Sequence, residues 1–270
     1  MQLKKYIPKQ VKQIIKKKLF ASKKKAPAKD KWCTVCQKNT YFKPFPYHRY
    51  FKKYYEHGFV YSPFLFETLN LDSYHCALCG ANDRDRLIAL YLTRNKAMFS
   101  DKEIKVLDFA PVKALQQFLK QQPFINYRSA DLLDETVDDK VDMTHMDIYT
   151  DEQFDVFVCS HILEHIVEDI AAMKELYRIT RKGGFGMCLV PIMLSIDKAN
   201  ENEAYRDSES LRWKYFGQGD HVRMYSKNDF VSRFESVGFK VEQVGKDYFD
   251  ENAFEVSGLD DKSVLYVVKK

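Results

Sequence analysis

Three groups of residues in this chain have the types and spacing to do chemistry. The first is a pair of Cys-x-x-Cys sequences, Cys33 with Cys36 and Cys76 with Cys79. Four thiolates in two knuckles match the closed, tetrahedral sulfur shell of a structural Zn2+, which leaves no open position for a reacting water. The second is Ser160-His161-Ile162-Leu163-Glu164-His165, which directly follows the apolar run 154–159. Its H-x-x-E-H spelling matches a zinc-protease motif, but that motif needs all its residues on one helix. Here an extended run leads straight into His161, so the motif is read as a turn, with His161 at a strand's carboxyl end. The third is Asp220-His221-Val222-Arg223, a loop with Tyr215 and Tyr225 near its two ends. An acid, a base, a cation and aromatic rings in one loop can move a proton and hold an anionic or ring-shaped ligand.

The elements around these groups follow from periodicity. Residues 154–159 read as a strand, the next segment as an amphipathic helix stopped by Gly183-Gly184, and 185–190 as another strand. That is a βαβ unit, whose parallel sheet binds ligands beyond the carboxyl ends of its strands. Upstream, 104–110 and 124–131 are strands around a helix over 112–120, and Val141-Asp142 is a short third strand. Downstream, Ser226 and Asp229 cap a helix ending at Gly238. Segments 239–244 and 263–270 complete an antiparallel edge pair. The expected architecture is α/β: one doubly wound, seven-stranded, mostly parallel sheet, preceded by a small zinc-ribbon module.

Charge divides the chain further. Residues 1–31 hold twelve lysines against Asp30 alone, leaving 31 basic and 37 acidic side chains in the other 239 residues. A basic tail on an acidic body disfavours a broad nucleic-acid-binding face. Residues 1–20 space Ile7, Val11, Ile14, Ile15 and Leu19 as a basic amphipathic helix suited to an anionic membrane surface. Residues 21–30 are a lysine-rich linker. No run approaches the roughly 20 apolar residues of a membrane span, so a cytoplasmic protein is expected, with at most peripheral attachment to the inner membrane face. Cys159 and Cys188 sit in apolar strands as small buried side chains. The expected divisions are 1–30 (basic helix and linker), 31–100 (zinc ribbon and a connecting helix from Arg84) and 101–270 (the sheet domain). Between the cysteine pairs lies an aromatic-rich insert, read as a small core around the knuckles with a few rings lining a substrate cleft.

Several of these motifs together resemble the class I S-adenosylmethionine-dependent methyltransferases, particularly the type 11 branch. The resemblance covers about residues 104–270. Asp108, Phe109, Ala110 and Pro111 occupy the family's first strand and glycine-rich loop, although no glycine is present here. Asp131, with Leu132 after it, holds the position of the acid for the ribose hydroxyls. Asp142 and Met143 hold the adenine-binding position, Ser160 ends the fourth strand, and 176–191 resembles the family's helix–GG–strand. The resemblance implies Rossmann-like methyl transfer with S-adenosylmethionine as cofactor. The 213–225 loop resembles a subgroup tied to bacterial surface sugars. The expected acceptor is therefore a sugar or glycan, lipid-linked if the basic tail meets a membrane. His221 or His161 is expected as general base, with Asp220 orienting it and Arg223, Tyr215 and Tyr225 holding the acceptor. The alternatives are a ribosomal or other RNA methyltransferase and a non-catalytic zinc-stapled scaffold.

Overall fold

The computed structural model describes residues 30–99 and 103–270; the basic segment 1–20 and nearly all of its linker lie outside the described residues. The N-terminal module contains two small antiparallel strand pairs and a helix. Strands β1 (Lys31–Cys33) and β2 (Lys38–Thr40) pair, β3 (Phe42–Lys43) pairs with β4 (His75–Cys76), and α1 (Tyr47–His57) lies in the insert between β3 and β4. Helix α2 (Asp83–Arg94) starts at Asn82, whose side chain accepts from the Asp85 amide while Asp85 reaches back to the Asn82 amide. This reciprocal cap satisfies two donors that a helix start otherwise strands.

The sheet that follows is built from β5 (Ile104–Phe109), β6 (Ile125–Asp131), β7 (Asp139–Lys140), β8 (Phe154–Ser160), β9 (Thr180–Leu189), β10 (Lys240–Val244) and β11 (Leu265–Lys269). Its order is β10-β11-β9-β8-β5-β6-β7, as the expected seven-stranded α/β architecture requires. Strands β7, β6, β5, β8 and β9 run parallel, and β11 and β10 add antiparallel. Helix α3 (Lys113–Lys120) connects β5 to β6, and α4 (Asp169–Ile179) connects β8 to β9. Strand β8 is buried along its length except at Ser160, which explains a run that is apolar apart from Asp155. From β5 the chain winds outward to β6, and from β8 outward to β9. The crevice beyond the carboxyl ends of β5 and β8 is thus the switch point where such sheets bind ligands.

Two boundaries differ from the sequence reading. The third strand is Asp139–Lys140 rather than Val141-Asp142, because Asp142 turns back to bridge His145. Helix α4 ends at Ile179, not at Gly183-Gly184, and β9 begins at once with Thr180, whose hydroxyl donates to the Leu176 carbonyl at 2.6 Å. The glycines instead let the edge of β9 pass its neighbour, since a Cβ on Gly184 would sit 2.6 Å from the Asp155 carbonyl oxygen.

The module and the sheet share one core. Cys33, Val35 and Phe42 pack with Leu87, Ile88, Val156, Met187 and Phe254 in a single buried cluster. Arg86, fully buried, ties the two together with all its guanidinium nitrogens. Nε donates to Ser257 (2.7 Å), Nη1 to Tyr74 (2.9 Å) and Ala81 (3.0 Å), and Nη2 to Ser73 (2.5 Å) and Gly258 (3.0 Å), all carbonyls. Its flat face lies 3.9 Å from the Phe42 ring centre. A second helix pair, α5 (Glu209–Phe216) against α1, carries the loop after β9 back over the module. Helix α6 (Lys227–Ser236) then starts at Ser226, whose hydroxyl accepts from the Asp229 amide as expected.

Candidate active site

The crevice is lined by four loops at the carboxyl end of the sheet. After β5 the chain turns through Ala110 in a left-handed conformation (φ 48°), held by its amide to the Ala130 carbonyl at 2.8 Å. Non-glycine residues adopt this region at a cost of order 1 kcal/mol or more, and such strain collects at binding sites. Asp108 does not face a ligand. It is 2 % exposed and accepts from the Tyr127 hydroxyl at 2.9 Å; burial pushes its carboxyl up to about 7, and that hydrogen bond pulls the other way. Phe109 is likewise buried, so the first strand offers a ligand the backbone of Ala110 and Pro111 rather than the side chains of Asp108 and Phe109. The physical reason is that β5 has neighbours on both edges and cover on both faces.

Asp131, at the end of β6, accepts from the amides of Leu133 (2.6 Å) and Asp134 (2.8 Å) through one oxygen, which shapes the loop and keeps the carboxylate at the crevice. Asp142 accepts from the amide and hydroxyl of Thr144 at 2.8 Å each and is exposed, while Met143 beside it is buried. Leu132 and Leu133 after β6 and Val112 after β5 are exposed apolar side chains. Acids for hydroxyl or amino groups, with apolar chains beside them, fit a nucleoside; Ser160, partly exposed at the end of β8, closes the set.

Beside the crevice a pocket opens between the aromatic insert and the ends of β8 and β9. Its walls include Tyr50, Tyr54 and Phe66 from the module, Arg84 from the start of α2, and His161 and His221. His161, like Ala110, is left-handed (φ 59°). Its Nδ1 lies 3.2 Å from Glu164, and its pKa is lowered to about 4 by burial and by the nearby Arg84, despite the Glu164 charge. Glu164, 1 % exposed, sits on the turn 163–165 as the sequence reading required. Burial pushes its carboxyl up, and the imidazoles of His161, His221 and His165 more than offset that, leaving it below the usual range. His221 is buried with Nδ1 at 3.0 Å from the Phe216 carbonyl; burial lowers its pKa as well.

The 220s loop departs from expectation in three places. Asp220 does not orient His221: its carbonyl lies 3.2 Å and its carboxylate 3.6 Å from Nδ1 of His165. Arg223 has no face for an acceptor, because it is 1 % exposed and donates to the carbonyls of Leu163 (3.0 Å), Ile166 and Val167 (2.7 Å). It thereby clamps the turn that carries Glu164 and His165. Tyr225 is fully buried and gives its hydroxyl proton to Asp169 at 2.5 Å. Tyr215 stacks on Tyr205 with ring centres 3.8 Å apart and is absent from the pocket wall. Conversely, Arg84 and Glu164 were not singled out as site residues. Arg84 reads as an ordinary charge in a helix's first turn, and Glu164 as part of a rejected motif.

The four cysteines meet as the spacing predicts. Cys33 and Cys79 sulfurs are 3.7 Å apart and those of Cys36 and Cys76 4.0 Å. A tetrahedral shell with Zn–S near 2.3 Å places its sulfurs roughly 3.8 Å apart, so the donor set fits zinc. The Leu78 amide points at Cys76 Sγ (3.4 Å), a contact that favours thiolate.

The chain is similar to several known proteins. A family described as "Methyltransferase domain" matches residues 81–244. Solved structures similar to the chain include an S-adenosylmethionine-dependent methyltransferase from Archaeoglobus fulgidus, at 14% identity and TM-score 0.46, covering 69% of this chain and 94% of that one. Another, from Aquifex aeolicus, shows 15% identity and TM-score 0.42, covering 68% and 90%. No curated protein matches the sequence. With its sheet order, its crevice at the switch point and a family match over most of the sheet domain, the chain belongs to the class I S-adenosylmethionine-dependent methyltransferases, here with a four-cysteine module at its N-terminal side.

Proposed function

We propose that the protein transfers the methyl group of S-adenosylmethionine to a hydroxyl oxygen of a sugar or glycan. One observation supports this reading: the pocket beside the crevice is walled by aromatic rings of the module, with Thr68, Arg84, His161, Gln218 and His221 among its polar groups. Flat rings with a few placed polar groups suit the apolar faces and hydroxyls of a sugar. Bound S-adenosylmethionine supplies an electrophilic methyl group on sulfur. Tyr50, Tyr54 and Phe66 hold the acceptor and exclude water, and Arg84 offers a cation to an anionic substituent. His161, just beyond the carboxyl end of β8 and on the pocket wall, takes the hydroxyl proton. Alignment of the two substrates supplies much of the rate, because the donor is already activated. The lysines of residues 1–31 support an acceptor carried on an anionic lipid surface. Among the described residues no helix is long and apolar enough to cross a membrane.

The test is transfer of labelled methyl by the purified full chain to glycan and lipid-linked glycan fractions. His161→Ala should lower turnover by about 10²–10⁴ with S-adenosylhomocysteine affinity unchanged. Failure to bind S-adenosylhomocysteine at millimolar concentration would remove the enzyme reading altogether. Salt-sensitive RNA binding with methyl incorporation into RNA would move the acceptor to nucleic acid.

A further inference from the structure

We propose that Glu164, His165 and His221 form a divalent-cation site on the acceptor side of the crevice, separate from the four-cysteine centre. One donor atom from each of the three lies within 4.8 Å of the others. Metal–ligand bonds of about 2.0–2.2 Å need a closer approach, which modest side-chain rotation provides.

Hydrogen bonding has already set the imidazoles for this task. His221 Nδ1 faces the Phe216 carbonyl at 3.0 Å, and a carbonyl only accepts, so Nδ1 carries the proton and Nε2 keeps its lone pair. That Nε2 is buried without any hydrogen-bond partner. His165 repeats the arrangement, its Nδ1 facing the Asp220 carbonyl at 3.2 Å. A ligating histidine commonly donates its other N–H to a carbonyl, which fixes the ring and its tautomer. The Glu164 carboxylate is buried; Oε1 has His161 Nδ1 at 3.2 Å, outside hydrogen-bond geometry, and Oε2 has no hydrogen-bond partner. Leaving such a group unmatched costs several kcal/mol, and a cation between it and the two lone pairs satisfies all three at once. The surrounding backbone is fixed for it. Arg223 holds the 163–167 turn by three carbonyls, and the Val222 amide donates to the Glu164 carbonyl at 2.9 Å.

Two imidazole nitrogens and one carboxylate suit Mn2+, Fe2+, Co2+ or Zn2+. Three protein ligands leave positions open, the hallmark of a catalytic rather than a structural centre. His221 also lines the acceptor pocket, which puts the site at that pocket's wall. There the cation would bind the acceptor hydroxyl and ease its ionisation. The O–H bond breaks with its proton passing to His161 and then to solvent. The oxygen's electron pair forms the new C–O bond, and the C–S pair returns to sulfur. The cation changes no oxidation state. This role rests on the methyl-transfer reading; cation binding itself does not.

The experiment is Mn2+ titration of the zinc-loaded full chain, since a thiolate centre takes Mn2+ poorly. Free Mn2+ is followed by electron paramagnetic resonance. One Mn2+ per chain is expected, with affinity lowered about 100-fold in Glu164→Gln and in His221→Ala and unchanged in His145→Ala. Pulsed spectra of the wild type should show nitrogen coupling from imidazole, a readout that needs no variant to fold. Absence of Mn2+ and Co2+ binding up to about 1 mM, absence of nitrogen coupling, or full affinity in both folded variants would overturn the site. S-adenosylhomocysteine binding, measured in parallel, tests the methyltransferase reading independently: its loss with Mn2+ binding intact would remove that reading and leave the cation site.

Discussion

Asp108 should make the protein less stable as the medium becomes alkaline. Its carboxyl is buried in the middle of the sheet with the Tyr127 hydroxyl as partner, and burial raises its pKa to about 7. In the unfolded chain the same group ionises near 3.9. Below that value both states hold the proton and Asp108 costs nothing. Between about pH 4 and 7 the unfolded chain loses the proton while the folded chain keeps it, so stability falls with rising pH; above 7 the penalty is complete. A gap of about three units at 1.36 kcal/mol each gives a penalty of about 4 kcal/mol at pH 8. Asp108→Asn keeps a carbonyl for the Tyr127 hydroxyl and never ionises. Urea unfolding followed by circular dichroism should give equal stability for the two proteins near pH 4. At pH 8 the variant should be more stable by up to about 4 kcal/mol. Parallel pH profiles for the two proteins would refute the reasoning, because nothing else in the substitution titrates.

Two further predictions concern the module. Arg86→Met strands the carbonyls of Ser73, Tyr74 and Ser257, whereas those of Ala81 and Gly258 keep the Cys76 amide and the Asn70 side chain. At about 1–3 kcal/mol for each buried acceptor the loss is about 5 kcal/mol, or about 10–20 °C in thermal midpoint; a loss under about 1 kcal/mol would overturn the clamp. Stripping zinc with a chelator should release one ion per chain and open the insert between the cysteine pairs to proteolysis, and an unchanged cleavage pattern would show that the four thiolates are not what folds it.

Strand β8 was legible because burial on both faces writes it as a mostly apolar run, 154–159, broken only by Asp155. The turn reading of His161-x-x-Glu164-His165 held for the same reason: a strand runs directly into it. Boundaries failed where side-chain contacts overrode local signals. Gly183-Gly184 reads as a helix stop, yet the chain uses it to slip past Asp155. The loop residues were misread for a deeper reason. Asp220, His221 and Arg223 lie within four residues, and sequence alone invites pairing them with one another. The fold instead sends Arg223 to the 163–167 carbonyls, Asp220 to His165 and His221 to Phe216. Those partners lie as much as 60 residues away, beyond what spacing can report.

Arg86 also constrains the order in which the chain can fold. Its partner Ser257 lies 171 residues further along, and Phe254 and Leu259 fill the core beneath the cysteine module. The module therefore cannot finish on its own while the chain is being synthesised. Its guanidinium waits, with a water-filled gap where residues 254–259 belong, until the sheet's last strands have emerged. A ribosome-bound chain stopped near residue 250 would carry four cysteines able to take zinc around a core still open to water. Contacts that span so much sequence fold slowly and leave apolar surface exposed meanwhile. Metal captured early by the four thiolates would keep the first part of the protein compact until the last part closes it.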